Sequence, residues 1–368
     1  MSFNMPEFKA PDFNLEKYKI MPNVKIEQAE KDKVAPDNFF LTTHMPTFYK
    51  YNDKWYLPER NSLNCVAVVE DGEVNIKELR EIKKGDKVIS GSSIDGREGV
   101  LVYKEGFDES VYYKSGSAVE TSFSQTYEKL FALMEYEKQN GGYIVWVLGP
   151  SVVFDFDTRN ALTKLCQNGY INCLLGGNAI CTHDLEAGYL NTALGQNIYT
   201  QENAPMGHYN HLDLLNEVKT AGSIKNLIDQ DKVMDGIIKT MVEMDVPFVL
   251  SGSIRDDGPL PEVYAETEQA LNKTKEYLNK ATLIIGVATM LHTLSVANMA
   301  SGYRVRQDGK VTPVYMYCVD VTENVANKVG AARENMAFTP VITNVQSFCV
   351  NLERNLIEKD TKHKKEVM

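Results

Sequence analysis

Ile171-Asn-Cys-Leu-Leu-Gly-Gly-Asn-Ala-Ile-Cys-Thr-His-Asp-Leu-Glu186 is the stretch whose reading decides the fold. The apolar run 171–175 reads as a buried strand, Gly176-Gly177-Asn178 as its exit, and the remainder as the first turns of a helix. The same order of events recurs outward in both directions. Apolar runs at 144–148, 247–250, 283–287, 314–319 and 340–343 predict further strands, each separated from the next by a helical pattern. Continuous apolar strands alternating with helices imply a parallel sheet covered on both faces, with ligands bound outside the carboxyl ends of the strands.

The strand exits carry the strongest signal. Gly149-Pro150-Ser151, Gly176-Gly177-Asn178, Ser251-Gly252-Ser253, Ala288-Thr289 and Asp320 place glycine, small or polar residues after successive strands. Glycine lets backbone amides approach a ligand, and the helix N-terminus that follows favours phosphate, so a nucleotide crevice is expected. Gly149, Pro150, Gly177, Asn178, Ser251, Ser253, Thr289 and Asp320 are its candidate lining; the plain alternative is that each only turns the chain. G-x-G-x-x-G is absent, so an ordinary dinucleotide fingerprint is not available. Asp320 ends a strand with an acid that can bond the ribose hydroxyls of NAD and repel the extra phosphate of NADP; equally, Asp320 or Thr322 can cap the next helix.

Three clusters carry chemistry. Ser251-Gly-Ser-Ile-Arg255-Asp256-Asp257-Gly258-Pro259-Leu260-Pro261 puts one cation and two carboxylates after a buried strand. Arg255 can clamp a substrate carboxylate, and Asp256 or Asp257 can hold an ammonium or accept a proton; the alternative is a solvated turn. His183, Asp184 and Glu186 follow Asn178 closely, and the spacing of His183 and Glu186 puts them on neighbouring faces of a helix. His183 and Asp184 are candidate proton carriers, unless the acids only offset the helix dipole. His208-Tyr-Asn-His211 lacks a third ligand at fitting spacing and reads as an ordinary polar loop, so no metal is expected. His292 suits packing and catalysis equally.

The rest of the chain bounds the class. At 368 residues and 43% hydrophobic composition it can fill two cores. Residues 1–60 are polar and proline-spotted and suggest an arm or short strands. Residues 61–140 suggest a small β-rich domain with Asp71-Gly72 and Asp95-Gly96 turns, closed by a helix over 122–139. Residues 141–355 hold the nucleotide-binding α/β domain, and 356–368 a charged tail. The net charge of −11, from 39 basic against 50 acidic residues, argues against nucleic acid or an anionic membrane as partner. No apolar run approaches the ~20 residues of a membrane span, and the N-terminus lacks a signal core, so a cytoplasmic protein is expected. Six cysteines without a C-x-x-C pair imply buried, reduced thiols.

Taken together, Gly176 to Glu186, Gly207-His-Tyr-Asn-His211, Ala221-Gly-Ser-Ile224, Pro247 to Pro261, Ala288-Thr-Met-Leu-His292 and Cys318-Val-Asp320 resemble the archaeal-type ornithine cyclodeaminases. These form the lysine-oxoglutarate reductase/saccharopine dehydrogenase (LOR/SDH) conserved-region family, and the same domain resembles the C-terminal half of bifunctional arginine dihydrolase/ornithine cyclodeaminase enzymes. The resemblance spans about residues 143–350. It implies a nucleotide fold like that of deoxyhypusine synthase, bound NAD, and a homo-oligomer, dimer or tetramer. The implied reaction is L-ornithine to L-proline and ammonia by oxidation, cyclisation, loss of ammonia and re-reduction. Arg255 would take the carboxylate, Asp256 or Asp257 an amine or proton, and Asn178, Ala179 and Asp320 the dinucleotide. The first ~60 residues depart from the family, as does the loop after Gly149-Pro150, which lacks a histidine. A net dehydrogenase or cyclodeaminase of another basic amino acid, and a non-catalytic NAD-binding scaffold, share the same crevice.

Overall fold

The computed structural model describes residues 2–113 and 124–358. At its centre lies a seven-stranded parallel sheet: β1 (Ile144–Leu148), β2 (Cys173–Gly177), β3 (Phe248–Ser251), β4 (Val263–Tyr264), β5 (Leu283–Val287), β6 (Tyr315–Asp320) and β7 (Phe338–Ile342). The spatial order is β4-β3-β2-β1-β5-β6-β7. The chain lays strands outward from β1 to one side, then crosses back to place β5 on the other. The order therefore reverses between β1 and β5, where Leu148 pairs with Val287. Such a switch point opens a crevice at the carboxyl edge.

The strands are apolar throughout because both faces are covered. Ile144, Trp146 and Leu148 of β1 enter one core, and Val145 and Val147 the other. The first core packs against α1 (Gln125–Gln139), α2 (Phe156–Gln167), α3 (Asn178–Leu190), α4 (Asn210–Ala221), α5 (Ile224–Asp229), α6 (Ile237–Glu243) and, through Phe348 and Leu352, the helix Val345–Glu353. The second packs against α7 (Thr267–Leu278), α8 (Met290–Met299) and α9 (Glu323–Ala332). The helix Val345–Glu353 is α10 below.

The N-terminal residues build two antiparallel sheets. Lys25–Gln28, Lys87–Ser90, Cys65–Glu70 and Glu73–Glu78 form one, and Lys54–Tyr56, Thr47–Tyr51 and Val100–Val102 the other. They share a core that includes Tyr49, Ala67, Val69, Ile89 and Val100. Strands on both sides of residue 60 pair, as in Ile26 with Ile89 and Phe48 with Leu101, so residues 25–56 are short strands of this unit and not an arm apart. The helix expected to close the unit also moves: α1 buries Tyr127, Leu130 and Met134 beside Trp146, in the larger core. Ser122 and Phe123 of that expected helix lie outside the described residues, as do residues 359–368 of the tail.

The two parts are joined by buried contacts. Asn61 N–H donates to Ser301 Oγ at 2.8 Å and Tyr303 Oη to the Pro58 carbonyl at 3.1 Å. All six cysteines are free and buried.

Candidate active site

A cavity of about 440 Å³ sits over the carboxyl ends of β1, β2 and β3, lined by Pro150, Phe154, Gly177, Asn178, Ala179, Thr182, His183, Leu194, His211, Leu215, Ser253, Arg255, Asp256 and Asp257. The first turns of α3 supply its floor. This helix is unusual in burying polar and charged side chains on every side: Asn178, Thr182, His183, Asp184 and Glu186 are all buried. Charges inside a protein require partners, and the two acids find different ones: Glu186 meets His183 and backbone N–H groups, Asp184 meets Arg159.

Glu186 is 0% exposed and receives four contacts. Thr192 Oγ1 at 2.8 Å and the Gly195 N–H at 3.0 Å donate to Oε1. The Leu194 N–H donates to Oε2 at 3.0 Å, and His183 Nδ1 lies 2.8 Å from the same oxygen. The Leu194 N–H also lies 3.3 Å from Nδ1; because a carboxylate only accepts, the shorter contact with Glu186 argues for the proton on Nδ1 and for Nε2 as the nitrogen left to act in the cavity. A carboxylate that fixes the tautomer and orientation of an imidazole is the arrangement used for proton transfer. Phe154 packs edge-on to the ring at 5.7 Å and His211 at 6.1 Å.

Asp184 does not join them. Its Oδ1 accepts from Arg159 Nε at 2.8 Å and its Oδ2 from the Ile238 N–H at 2.8 Å, and Arg159 also reaches Asp235 at 2.9 Å. The expectation of Asp184 as a proton carrier is therefore corrected: both oxygens are engaged in a buried tie between α2, α3 and α6, outside the cavity lining.

The Arg255 segment lines the same cavity as His183. Asp256 Oδ2 accepts the Ser253 N–H at 2.8 Å, and Ser253 Oγ accepts the Arg255 N–H at 3.2 Å, so Asp256 braces the loop. Asp257 instead approaches His211 Nε2 at 3.5 Å. His211, read in the sequence as an ordinary loop residue, belongs to the site. Arg255 is exposed and makes no ion pair among the described residues. Asn178 uses its Oδ1 to accept the buried Leu260 N–H at 2.9 Å, holding the far end of this loop. Thr182 carries a buried Oγ1 without a partner at the cavity wall. Glu186 and His211 carried a sequence signal in their spacing; Phe154, Thr182, Leu194 and Leu215 carried none.

The remaining expected residues lie along the same edge. Gly149 ends β1 so close to β5 that a Cβ would sit 2.1 Å from the Ala288 carbonyl oxygen. Ser251 pairs with Gly177, and Thr289 starts α8 across the switch point. Asp320 ends β6 outside the cavity, its Oδ1 accepting the Thr322 N–H and hydroxyl, both at 2.9 Å. Those contacts are the helix-entry brace, so the ribose role expected for Asp320 has no support here. The edge does fit an anionic nucleotide. A Cβ at Gly177 would meet only the Ser251 carbonyl oxygen, at 3.6 Å. The N-termini of α3, α8 and α9, after β2, β5 and β6, have no side-chain cap, whereas α2 and α10, after β1 and β7, are capped by Asp155 and Asn344. Uncapped first-turn N–H groups are donors for phosphate.

Residues 128–352 match the family model described as arginine dihydrolase ArgZ-like, C-terminal, Rossmann fold. Ornithine cyclodeaminase of Archaeoglobus fulgidus is 35% identical over 343 residues, covering 92% of this chain and 80% of that protein. The chain belongs to the archaeal-type ornithine cyclodeaminase family. A crystal structure of a conserved putative LOR/SDH protein from Methanococcus maripaludis superposes with a TM-score of 0.79 at 29% identity, covering 92% of this chain and all of that one. AgrE, solved as a ternary complex with ornithine and NAD+, matches with a TM-score of 0.57 at 27% identity, over 95% of this chain and 47% of AgrE. The family model begins inside α1, in keeping with the packing of that helix on the larger core. No helix among the described residues of this family member is long and apolar enough to cross a membrane.

Proposed function

We propose that this chain is an NAD-dependent ornithine cyclodeaminase that converts L-ornithine to L-proline and ammonia. The observation that carries the reading is one cavity, at the nucleotide-fitting edge, lined together by a carboxylate-oriented imidazole, a cation and an unbraced carboxylate. Ornithine presents one carboxylate and two amines. Arg255 is the cation for the carboxylate, its fork suited to two parallel hydrogen bonds. Asp257 with His211 holds the side-chain amine, and His183 Nε2 takes and returns protons at nitrogen. Phe154, Leu194 and Leu215 keep that part of the cavity apolar, which protects a substrate imine from water. The chemistry that NAD would supply when held there is reversible hydride acceptance from the substrate. The uncapped starts of α3 and α8 and the open space at Gly177 are the chain's groups for its pyrophosphate, with Pro150, Ala179 and Ser253 beside them. AgrE, a relative solved with ornithine and NAD+, supports the pairing of ligands. A cytoplasmic homo-oligomer, dimer or tetramer, goes with this reading, and the charge of −11 supports the absence of a nucleic-acid partner.

The test is incubation of the purified protein with NAD and a panel of basic amino acids, scoring ammonia, proline and NADH together. Equimolar ammonia and proline from ornithine, without accumulated NADH, is the expected result. Stoichiometric NADH would make it a net dehydrogenase, and no turnover of any substrate would remove the enzymatic reading.

A further inference from the structure

A second hollow lies away from the catalytic cavity and shares no lining residue with it. An open chamber of about 650 Å³ is lined by the N-terminal segment, the end of α1, Phe48, Leu57 and the hairpin of Tyr303–Val305 and Val311–Pro313. Through Met5, Tyr136, Arg306 and Thr312 it adjoins a recess of about 90 Å³. Three charged side chains line that recess, Glu137 against Arg304 and Arg306. Glu137 is 3% exposed, and its Oε1 is buried without a hydrogen-bond partner. Arg304 Nε is likewise buried and unpartnered, although its Nη1 donates to the Lys280 carbonyl at 3.3 Å. Buried polar groups are nearly always satisfied, and no ion pair joins these two. An acceptor and a donor thus face one small gap, each lacking what a third molecule could supply. Burial raises the Glu137 carboxyl above its ordinary range, against the opposing pull of the Thr282 hydroxyl and the Arg304 and Arg306 charges, and burial lowers the Arg304 guanidinium.

We infer that the recess binds the head group of a free α-amino acid: Glu137 accepts from the ammonium, and Arg304, with Arg306, donates to the carboxylate. The side chain of the ligand then extends into the chamber between Met5, Tyr136 and Val311. The two orphaned atoms argue for a zwitterion over simpler ligands. A polyphosphate would set its charge against Glu137, and a bare cation would be repelled by Arg304, Arg306 and Lys310. The inference rests on none of the residues assigned to catalysis.

Calorimetry on the full chain tests it, with each of the twenty amino acids plus ornithine as probe, and acetate and methylamine as half-ligands. The Arg255→Ala protein is titrated as well, so that the catalytic cavity is weakened. At least one amino acid should bind a site that survives Arg255→Ala, at least tenfold more tightly than either half-ligand. Glu137→Gln and Arg304→Gln should raise its dissociation constant at least tenfold. Because Glu137 is buried, exposed Arg306→Ser serves as a second variant, with at least a threefold loss and an unchanged melting temperature. Acetate binding as tightly as the amino acids would reduce the recess to a simple anion site and overturn the inference. So would the absence of any amino-acid binding to the Arg255→Ala protein, or unchanged affinity in folded Arg306→Ser.

Discussion

Two acids on one buried helix turn do different work, and helix geometry says why. Glu186 is three residues from His183 and shares its face, whereas Asp184, next to His183, points about 100° away toward Arg159. The spacing of the first pair is legible in the sequence. The partner of Asp184 is not, because Arg159 comes from the preceding helix and nothing local announces it. His183→Phe fills a similar space and removes Nε2. We expect kcat to fall about 10²- to 10⁴-fold while NAD affinity holds; a kcat within threefold of wild type would remove His183 as proton carrier. Arg255 is exposed in the free protein, so its loss should not carry the cost of breaking a buried ion pair. Charge-assisted hydrogen bonds to one carboxylate are worth about 1.5–3 kcal/mol, so Arg255→Ala should lower kcat/KM roughly 10- to 150-fold. Arg255→Lys should restore little of that, since an ammonium lacks the planar fork. Steady-state kinetics of both variants against wild type give the answer.

At the scale of elements, the strands were the most legible part. Apolar runs locate β1 and β5 at their observed bounds and the other long strands within two residues, because burial on both faces leaves no polar alternation to blur them. Asp71-Gly72 likewise forms the hairpin turn its sequence announces, both residues at positive φ, 52° and 86°. β4 was not legible: two residues behind Pro259-Leu260-Pro261 are too short to show a period. The loop between β3 and β4 was legible as chemistry but not as geometry, since what positions it is a long-range bond from the Leu260 N–H to Asn178 Oδ1. Asn178→Ala leaves that buried N–H unpaired, at a cost of about 1–3 kcal/mol. Because the loop carries Arg255 and Asp257, the loss should appear chiefly as a rise in KM for ornithine of about 5- to 150-fold. Asn178→Asp keeps the acceptor and should restore most of it. An unchanged KM in Asn178→Ala would show that the loop holds its place without the tie.

Over the whole molecule, the contact between the small β unit and the α/β layer has a pH-sensitive residue at its centre. His44, from the N-terminal segment, is 0% exposed, and its backbone N–H donates to Glu334 at 2.5 Å. Burial holds its imidazole well below the ordinary value of 6.5, and the adjacent Arg333 charge pushes in the same direction. Arg333 cannot move away: its guanidinium donates to the Ala300, Ser301 and Val314 carbonyls at 2.9–3.0 Å. The folded protein therefore keeps His44 neutral at pH values where the unfolded chain binds a proton. A lowered folded pKa contributes stability that is present above 6.5 and is lost as pH falls toward the folded value. His292, lowered by burial to about 4, adds a second such group. Between pH 7 and pH 5, above the range where most carboxylates titrate, unfolding free energy should fall as pH falls. Below about pH 6 the slope approaches roughly 1.4 kcal/mol per pH unit for each histidine. His44→Phe should flatten the curve by close to one proton while His292 keeps its share. Urea unfolding at several pH values measures the slopes directly, and a His44→Phe slope equal to that of the wild type would mean that His44 does not stay neutral at this interface.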